Sequence, residues 1–109
     1  MAATIYRTAT EYAANAITIT RGTVSDITSV GVYHSTDPNA VPTVAQFTTV
    51  ALVTAGNPLA DGTTTDVLSL IGTKAGAHLS LTAGDYQRFV LIRTATEDII
   101  RKTDTLTVL

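Results

Sequence analysis

The chain has 109 residues, which is enough for one domain of ordinary size and too few for two. Hydrophobic residues make up 45% of it, so it can bury a core, and its 7 basic and 9 acidic residues form no basic run of the kind that binds nucleic acid. It has no cysteine, which excludes disulfides, cysteine-ligated zinc and thiol chemistry and suits assembly in a reducing cytoplasm.

The N-terminal segment, residues 1–15, is predicted to be an arm that precedes the domain. It is rich in Thr and Ala, carries Tyr6 and Tyr12, and lacks the apolar stretch of a secretory signal. An arm of this kind can lie as an added strand along a neighbour's sheet edge, with the two tyrosines as candidate partner contacts; a loose terminus is the alternative. Residues 16–109 then form a single domain.

The rest of the chain has the patterns of short β-strands. Its 22 threonines favour a pleated, half-buried surface over a helix, and no apolar run approaches the ~20 residues of a membrane-spanning helix. Loops rich in Gly, Pro, Asn and Asp separate the strands, and the pattern over 43–47 also permits a helical turn. About seven short strands separated by turns predict a sandwich or a small barrel. The runs with strand character are 16–21, 27–35, 47–54, 66–72, 77–81, 86–95 and 104–109.

The stretch LTAGDY, residues 81–86, predicts how the chain crosses between two sheets. In Greek-key sandwiches a Tyr near the start of a late strand returns its hydroxyl to the backbone a few residues upstream, an arrangement called a tyrosine corner. Leu81 would end the incoming strand, Gly84 would lie in the turn, and Tyr86 would open the outgoing strand; a tyrosine that merely packs is the alternative. The outgoing strand is apolar on both faces, so it is either central or covered on its outer face by another subunit.

Three segments of the chain carry motifs whose order along the sequence can be compared with that of known proteins: TATEYAANAITI (8–19), LSLTAGDYQRFVLI (79–92) and TEDIIRKTDTLTVL (96–109). They resemble the opening arm and first strand, the Leu-x-x-Gly-x-Tyr corner with its following strand, and the closing hairpin of small immunoglobulin-like virion proteins encoded by tailed phages of actinobacteria. The middle of the chain departs from that group, because TVAQFTTVALV stands where an aromatic-rich strand, often with Trp, is expected. The resemblance implies an immunoglobulin-like Greek-key β-sandwich and a structural role in a virion.

Residue types that carry chemistry are sparse and isolated. His34 and His78 are the only histidines, and neither has the further ligands at suitable spacing that a zinc site needs, so no metal is expected. The aspartates lie in or beside turns, where they make local hydrogen bonds, and no serine lies in a nucleophile elbow. We therefore expect no catalytic residues, no cofactor and no enzymatic activity.

These observations lead to one expected function and two alternatives. We expect a virion structural protein that is assembled in the host bacterial cytoplasm, decorates the capsid, contacts the major capsid protein or other virion proteins, and forms homo-oligomers. A head–tail connector or a tail or baseplate component is one alternative, and a host-surface glycan-binding module is the other. The glycan-binding alternative requires exposed aromatic side chains on loops, for which Tyr12, Tyr33 and Phe47 are the candidates. Neither nucleic acid nor a membrane is expected as a partner.

Overall fold

A computed structural model describes residues 3–18, 27–53 and 64–109. In these residues the chain forms seven β-strands and one short 3₁₀ helix, Val44–Gln46. Threonine, valine and isoleucine are frequent in the strands because their stiff side chains suit a pleated surface. The strands are β1 (Ala3–Ile5), β2 (Glu11–Thr18), β3 (Ile27–Ser35), β4 (Thr48–Val53), β5 (Thr64–Ile71), β6 (Gly84–Thr94) and β7 (Asp98–Val108).

The strands follow the order β1-β7-β6-β3-β4-β5-β2 and belong to two sheets. Strand β4 is shared between the sheets, since Thr48–Val50 pairs with β3 whereas Ala51–Val53 pairs with β5. Neighbouring strands are antiparallel except for β1 and β7, which are parallel. The predicted all-β, sandwich-like fold is confirmed.

The core has two parts, and Leu79 packs against both of them. The first core cluster consists of aliphatic residues from β3 to β6: Val30, Val32, Val50, Val67, Val90 and Ile92. The second core cluster gathers residues from β1, β2, β5, β6 and β7: Ile5, Ala13, Ile71, Tyr86, Leu106 and Val108. Because the second cluster draws on strands of both sheets, it holds the sheets together around Tyr86.

Strand β6 is buried on both faces, and the chain covers the outer face itself. Phe89 and Leu91 are each only 4% exposed, although they alternate with the core-facing residues of β6. The ring of Tyr33 packs beside Phe89, with centroids 6.1 Å apart, and the ring of Phe47 packs in turn against Tyr33, with centroids 6.0 Å apart. The strand is therefore central, with β7 and β3 beside it, and its outer face is covered within one chain.

The loop that leads into β4 is held against the sheet at both of its ends. The ammonium group of Lys102 on β7 donates a hydrogen bond of 2.8 Å to the carbonyl of Pro38. At the other end Phe47 packs over Gly31, where an added Cβ would come within 3.1 Å of the Cβ of Phe47. Gly31 therefore gives Phe47 the room to lie close to β3.

The N-terminal residues differ from the predicted arm. β1 lies beside the end of β7, with Ile5 opposite Val108, and β2 pairs with β5 from Glu11 onward. Ile5 is only 5% exposed, and its carbonyl accepts a hydrogen bond of 2.9 Å from the backbone N–H of Leu109. Because this side chain is part of the core, residues 3–18 belong to the sandwich, and residue 15 does not separate an arm from a domain.

Segment 77–81 does not form the predicted strand. It makes only an isolated parallel bridge between Leu79 and Ile71, supported by a hydrogen bond of 3.0 Å from the N–H of Gly72 to the carbonyl of Leu79. In contrast, β7 is longer than predicted and begins at Asp98 rather than at residue 104. Residues 19–21 and 54 of the predicted strands, and most of the predicted loop 55–65, lie outside the described residues.

Candidate functional site

The corner at the start of β6 places Tyr86 at the end of the core. β6 begins at Gly84, whose φ of +150° suits a residue without a Cβ. The hydroxyl of Tyr86 donates a hydrogen bond of 2.8 Å to the carbonyl of Thr82, four residues upstream, and lies 3.1 Å from Thr82 Oγ1. The ring of Tyr86 is part of the second core cluster, against which Leu81 also packs. Leu81, Gly84 and Tyr86 therefore meet in one tyrosine corner.

An ion pair between the buried Arg88 and the partly buried Asp104 joins β6 to β7 next to this corner. Arg88 Nε donates to Asp104 Oδ1 at 2.7 Å, and Arg88 Nη2 donates to Oδ2 at 2.6 Å. Burial raises the pKa of Asp104, but the hydrogen bonds and the charge of Arg88 outweigh this and hold it below its usual value. Arg88 is only 3% exposed, so separating the pair would leave a buried charge without compensation. The two-point contact therefore fixes how β6 and β7 lie against each other.

A β-bulge in β7 brings Asp104 to Arg88. The register of β6 and β7 shifts between Gln87 and Phe89, where β7 carries one extra residue. The side-chain amide of Gln87 donates to the carbonyls of Asp104 at 2.9 Å and Thr103 at 3.3 Å. Gln87 thus bonds the backbone groups that the bulge displaces, and the bulge directs the Asp104 carboxylate toward the guanidinium.

His34 lies opposite Arg88 on the neighbouring strand β3. Its ring meets the ring of Tyr86 edge-on, with centroids 6.2 Å apart and an interplanar angle of 84°. Burial, together with the positive charge of Arg88, lowers the pKa of His34 to about 4, so the ring is neutral at pH 7. Among the residues that the structure describes, the buried His34 Nε2 and Arg88 Nη1 have no hydrogen-bond partner.

The geometry of these three side chains favours a structural role. Arg88 already occupies both carboxylate oxygens of Asp104, and a pKa of about 4 makes His34 a weaker base than the value near 7 that suits general-base catalysis. Within residues 3–18, 27–53 and 64–109, no group of three or more His, Cys, Asp or Glu side chains could hold a metal ion. We interpret Arg88 and Asp104 as a clamp that fixes β6 relative to β7, with the ring of His34 on β3 packed against Tyr86 beside it.

The two candidate contact tyrosines are both exposed but lie on different elements. Tyr6 is 61% exposed and lies in the connection from β1 to β2. The next residue, Arg7, donates its backbone N–H to the carbonyl of Leu109 at 2.8 Å, and the Leu109 side chain is itself 48% exposed. Tyr12 is 63% exposed and lies on β2. Both rings are therefore accessible, one beside the last residue of the chain and one on an edge strand.

The clamp is the part of this region that sequence reasoning missed. A single signal for it was present, since Arg88 shares one face of the predicted strand with the apolar residues Val90 and Ile92. Its partner could not be assigned, because the bulge that directs Asp104 toward Arg88 depends on the register of two strands.

Comparison of the chain with protein-family models, curated proteins and solved structures found no match. In the part of the chain that the structure describes, no helix has the length and apolar character needed to cross a membrane.

Proposed function

We propose that the chain is a non-enzymatic structural protein of a tailed-phage particle and that it decorates the capsid through protein–protein contacts. The observation that supports this most is where the three resembling segments lie in the fold. Segment 8–19 contains β2, segment 79–92 contains the corner and most of β6, and segment 96–109 contains β7. The resemblance therefore concerns three elements that build the sandwich, as a shared fold would require, rather than scattered loop residues.

The exposed tyrosines are the contacts through which we expect binding to the particle. Tyr6 and Tyr12 offer large rings with a polar end, a combination that is enriched at protein interfaces. A single contact of this size is weak, but many copies on a symmetric shell, or several joined subunits, gain from effective concentration. Modest contacts per copy are therefore sufficient for stable decoration.

The glycan-binding alternative receives less support from the aromatic residues. Such a module presents exposed rings, but Tyr33 and Phe47 pack against each other with centroids 6.0 Å apart and are both partly buried. Of the three aromatic candidates, this leaves Tyr12 as the exposed one. A position at the head–tail joint or on the tail is an alternative location for the same structural role.

The proposal is tested by adding purified protein to virions assembled without it and measuring bound copies per particle by quantitative mass spectrometry. We expect saturable binding at a copy number that matches the capsid lattice. The double variant Tyr6→Ala/Tyr12→Ala should bind at least about tenfold more weakly, which is a loss of about 1.4 kcal/mol. Val41→Ala is the matched control, because Val41 is 91% exposed but lies in the loop between β3 and β4.

Other outcomes would change the assignment. Binding to tails only, or at a few copies at one vertex, would move the role to the tail or the head–tail joint. Tight binding to a host glycan without particle binding would reject the structural role. Equal binding by the tyrosine variant and the Val41→Ala control would show that the contact surface lies elsewhere.

A further inference from the structure

The two outer edges of the sheet system differ in how they are protected against pairing with another chain. The edge strands are β1 and β2. β1 covers only the last residues of β7, from Leu106 to Val108. The part of β7 before Leu106 has two features that discourage strand addition: a bulge, and the charged residues Asp98, Arg101, Lys102 and Asp104.

Strand β2 lacks these features. It pairs with β5 over eight consecutive residues without a register shift, so it has no bulge. Its sequence EYAANAIT contains no proline or lysine, and Glu11 at its start is the one charged residue. In the described residues, no strand pairs with its outer edge. Every second residue of such a strand directs its N–H and C=O groups away from the sheet, where another strand can bond to them.

We propose that β2 is a self-association edge, at which β2 of a second copy of this chain adds in antiparallel orientation across a two-fold axis. The sequence suits pairing with itself. With the axis at Ala14, Glu11 of one copy lies opposite Ile17 of the other. The two Glu11 residues are then about 20 Å apart, at roughly 3.3 Å per residue. This distance exceeds the Debye length of about 8 Å at physiological salt, so the like charges do not oppose the dimer.

The dimer has a geometric consequence. The β5–β2 ladder of one copy continues into the β2–β5 ladder of the other, and main-chain hydrogen bonds supply most of the contact. The β2 edge is consequently closed in the dimer, while the β1 edge remains at the outside of each copy. This inference does not depend on a role in a virion, since it concerns only two copies of the chain.

The first test combines sedimentation with amide hydrogen exchange on the full chain. We expect a dimer whose fraction rises with protein concentration. In β2, amides of alternate residues should exchange quickly in the dilute monomer and become protected as the dimer forms, whereas their neighbours, bonded to β5, should be protected throughout. A chain that stays monomeric up to roughly 1 mM, the concentration range of very weak association, would overturn the proposal. A dimer that leaves exchange along β2 unchanged would overturn it as well.

A matched pair of variants tests the free edge of β2 by removing backbone N–H donors. Consecutive residues of a strand direct their N–H groups to opposite sides, so of Ala14→Pro and Asn15→Pro one removes a donor to β5 and the other a donor to the free edge. We expect the variant that retains the unfolding midpoint closer to wild type to raise the dimer dissociation constant by about tenfold or more. Wild-type dimerisation by that variant would contradict the proposal. If both variants unfold, the exchange pattern of the wild-type chain decides.

Discussion

The hydroxyl of Tyr86 is the smallest group whose removal tests the corner. Tyr86→Phe removes the donor to the Thr82 carbonyl and keeps the buried ring, so we expect the free energy of unfolding to fall by about 1 kcal/mol. Tyr86→Ala also leaves a cavity in the second core cluster and should cost about 3–5 kcal/mol. Urea denaturation midpoints at unchanged m-value measure both effects.

Thr82→Ala is the control for the Tyr86 variants. It removes the Oγ1 atom that lies 3.1 Å from the tyrosine hydroxyl but keeps the carbonyl that accepts the shorter hydrogen bond. Because Thr82 is exposed, we expect a change within about 0.5 kcal/mol. Identical midpoints for wild type and Tyr86→Phe would show that the corner hydrogen bond does not stabilise the fold.

His34 should make the protein less stable in mild acid. Its pKa falls from the ordinary value of 6.5 to about 4 in the folded state. As the pH drops below 6.5, the unfolded chain therefore binds a proton that the folded chain does not, and stability is lost until the pH reaches about 4. Because solvent screens part of the charge on this partly buried ring, we expect the free energy of unfolding to fall by an amount on the order of 2 kcal/mol. Chemical denaturation at a series of pH values measures it.

The variant His34→Gln isolates this contribution, because its side chain does not titrate. We expect its free energy of unfolding to change less than that of wild type between pH 6.5 and about 4. Below that range both proteins should weaken further, since the lowered pKa of Asp104 stabilises the fold only while the carboxylate is ionised. Parallel curves for the two proteins above pH 4 would contradict the assigned role of His34.

At the scale of elements, His78 forms hydrogen bonds with the end of β5, in the part of β5 that does not pair with β4. The Leu70 N–H donates to His78 Nδ1 at 2.8 Å, and the His78 backbone N–H donates to the Leu70 carbonyl at 2.8 Å. The imidazole therefore takes the place of a strand's carbonyl acceptor. His78→Phe should leave the Leu70 N–H without this acceptor and lower the free energy of unfolding by about 1–3 kcal/mol, measured by urea denaturation.

The variant His78→Asn distinguishes the contribution of the hydrogen-bond acceptor from the contribution of ring packing. The amide oxygen of asparagine can replace an imidazole nitrogen as acceptor, so this variant should recover most of the stability that His78→Phe loses. Equal losses in the two variants would mean that packing of the ring, rather than the hydrogen bond to Leu70, holds segment 77–81 beside β5.

The elements that sequence reasoning predicted correctly are those with local signals. Strand β3 was predicted with its observed bounds, and the 3₁₀ helix at Val44–Gln46 lies within the predicted turn. Tyr86 could be placed at a corner because its hydrogen bond spans only four residues. Segment 77–81 was predicted as a strand because its apolar and polar residues alternate. The same alternation suits a segment that is held beside β5 by the His78 side chain and an isolated bridge instead of by the backbone hydrogen bonds of a strand.

The features that could not be predicted depend on pairing between distant segments. The contact between Arg88 and Asp104 requires a bulge in β7, and a shift of one residue in a strand moves a side chain to the other face. Strand β1 has only three residues, which is too short for a periodic pattern, and its place is set by β7 at the other end of the chain. Register and long-range pairing, rather than composition, decide both features.

At the scale of the whole molecule, the backbone connects one sheet to the other on both sides of the sandwich. On one side β4 belongs to both sheets. On the other side the chain runs from β1, at the edge of one sheet, to β2, at the edge of the other. Ile5 of β1 and Ala13 of β2 meet in the second core cluster, so the N-terminal segment contributes to the closure of the fold.

The adjacent residues Ile5 and Tyr6 therefore give opposite predictions for the N-terminal segment. Ile5→Ala should lower the free energy of unfolding by about 2–5 kcal/mol, because Ile5 is 5% exposed and packs in the second core cluster. Tyr6→Ala should change it by no more than about 0.5 kcal/mol, because that ring is 61% exposed. Urea denaturation of the two variants under identical conditions makes the comparison. If Ile5→Ala unfolds at the wild-type midpoint, β1 does not contribute to the core in solution, and the N-terminal residues are free to act as the arm that their sequence first suggested.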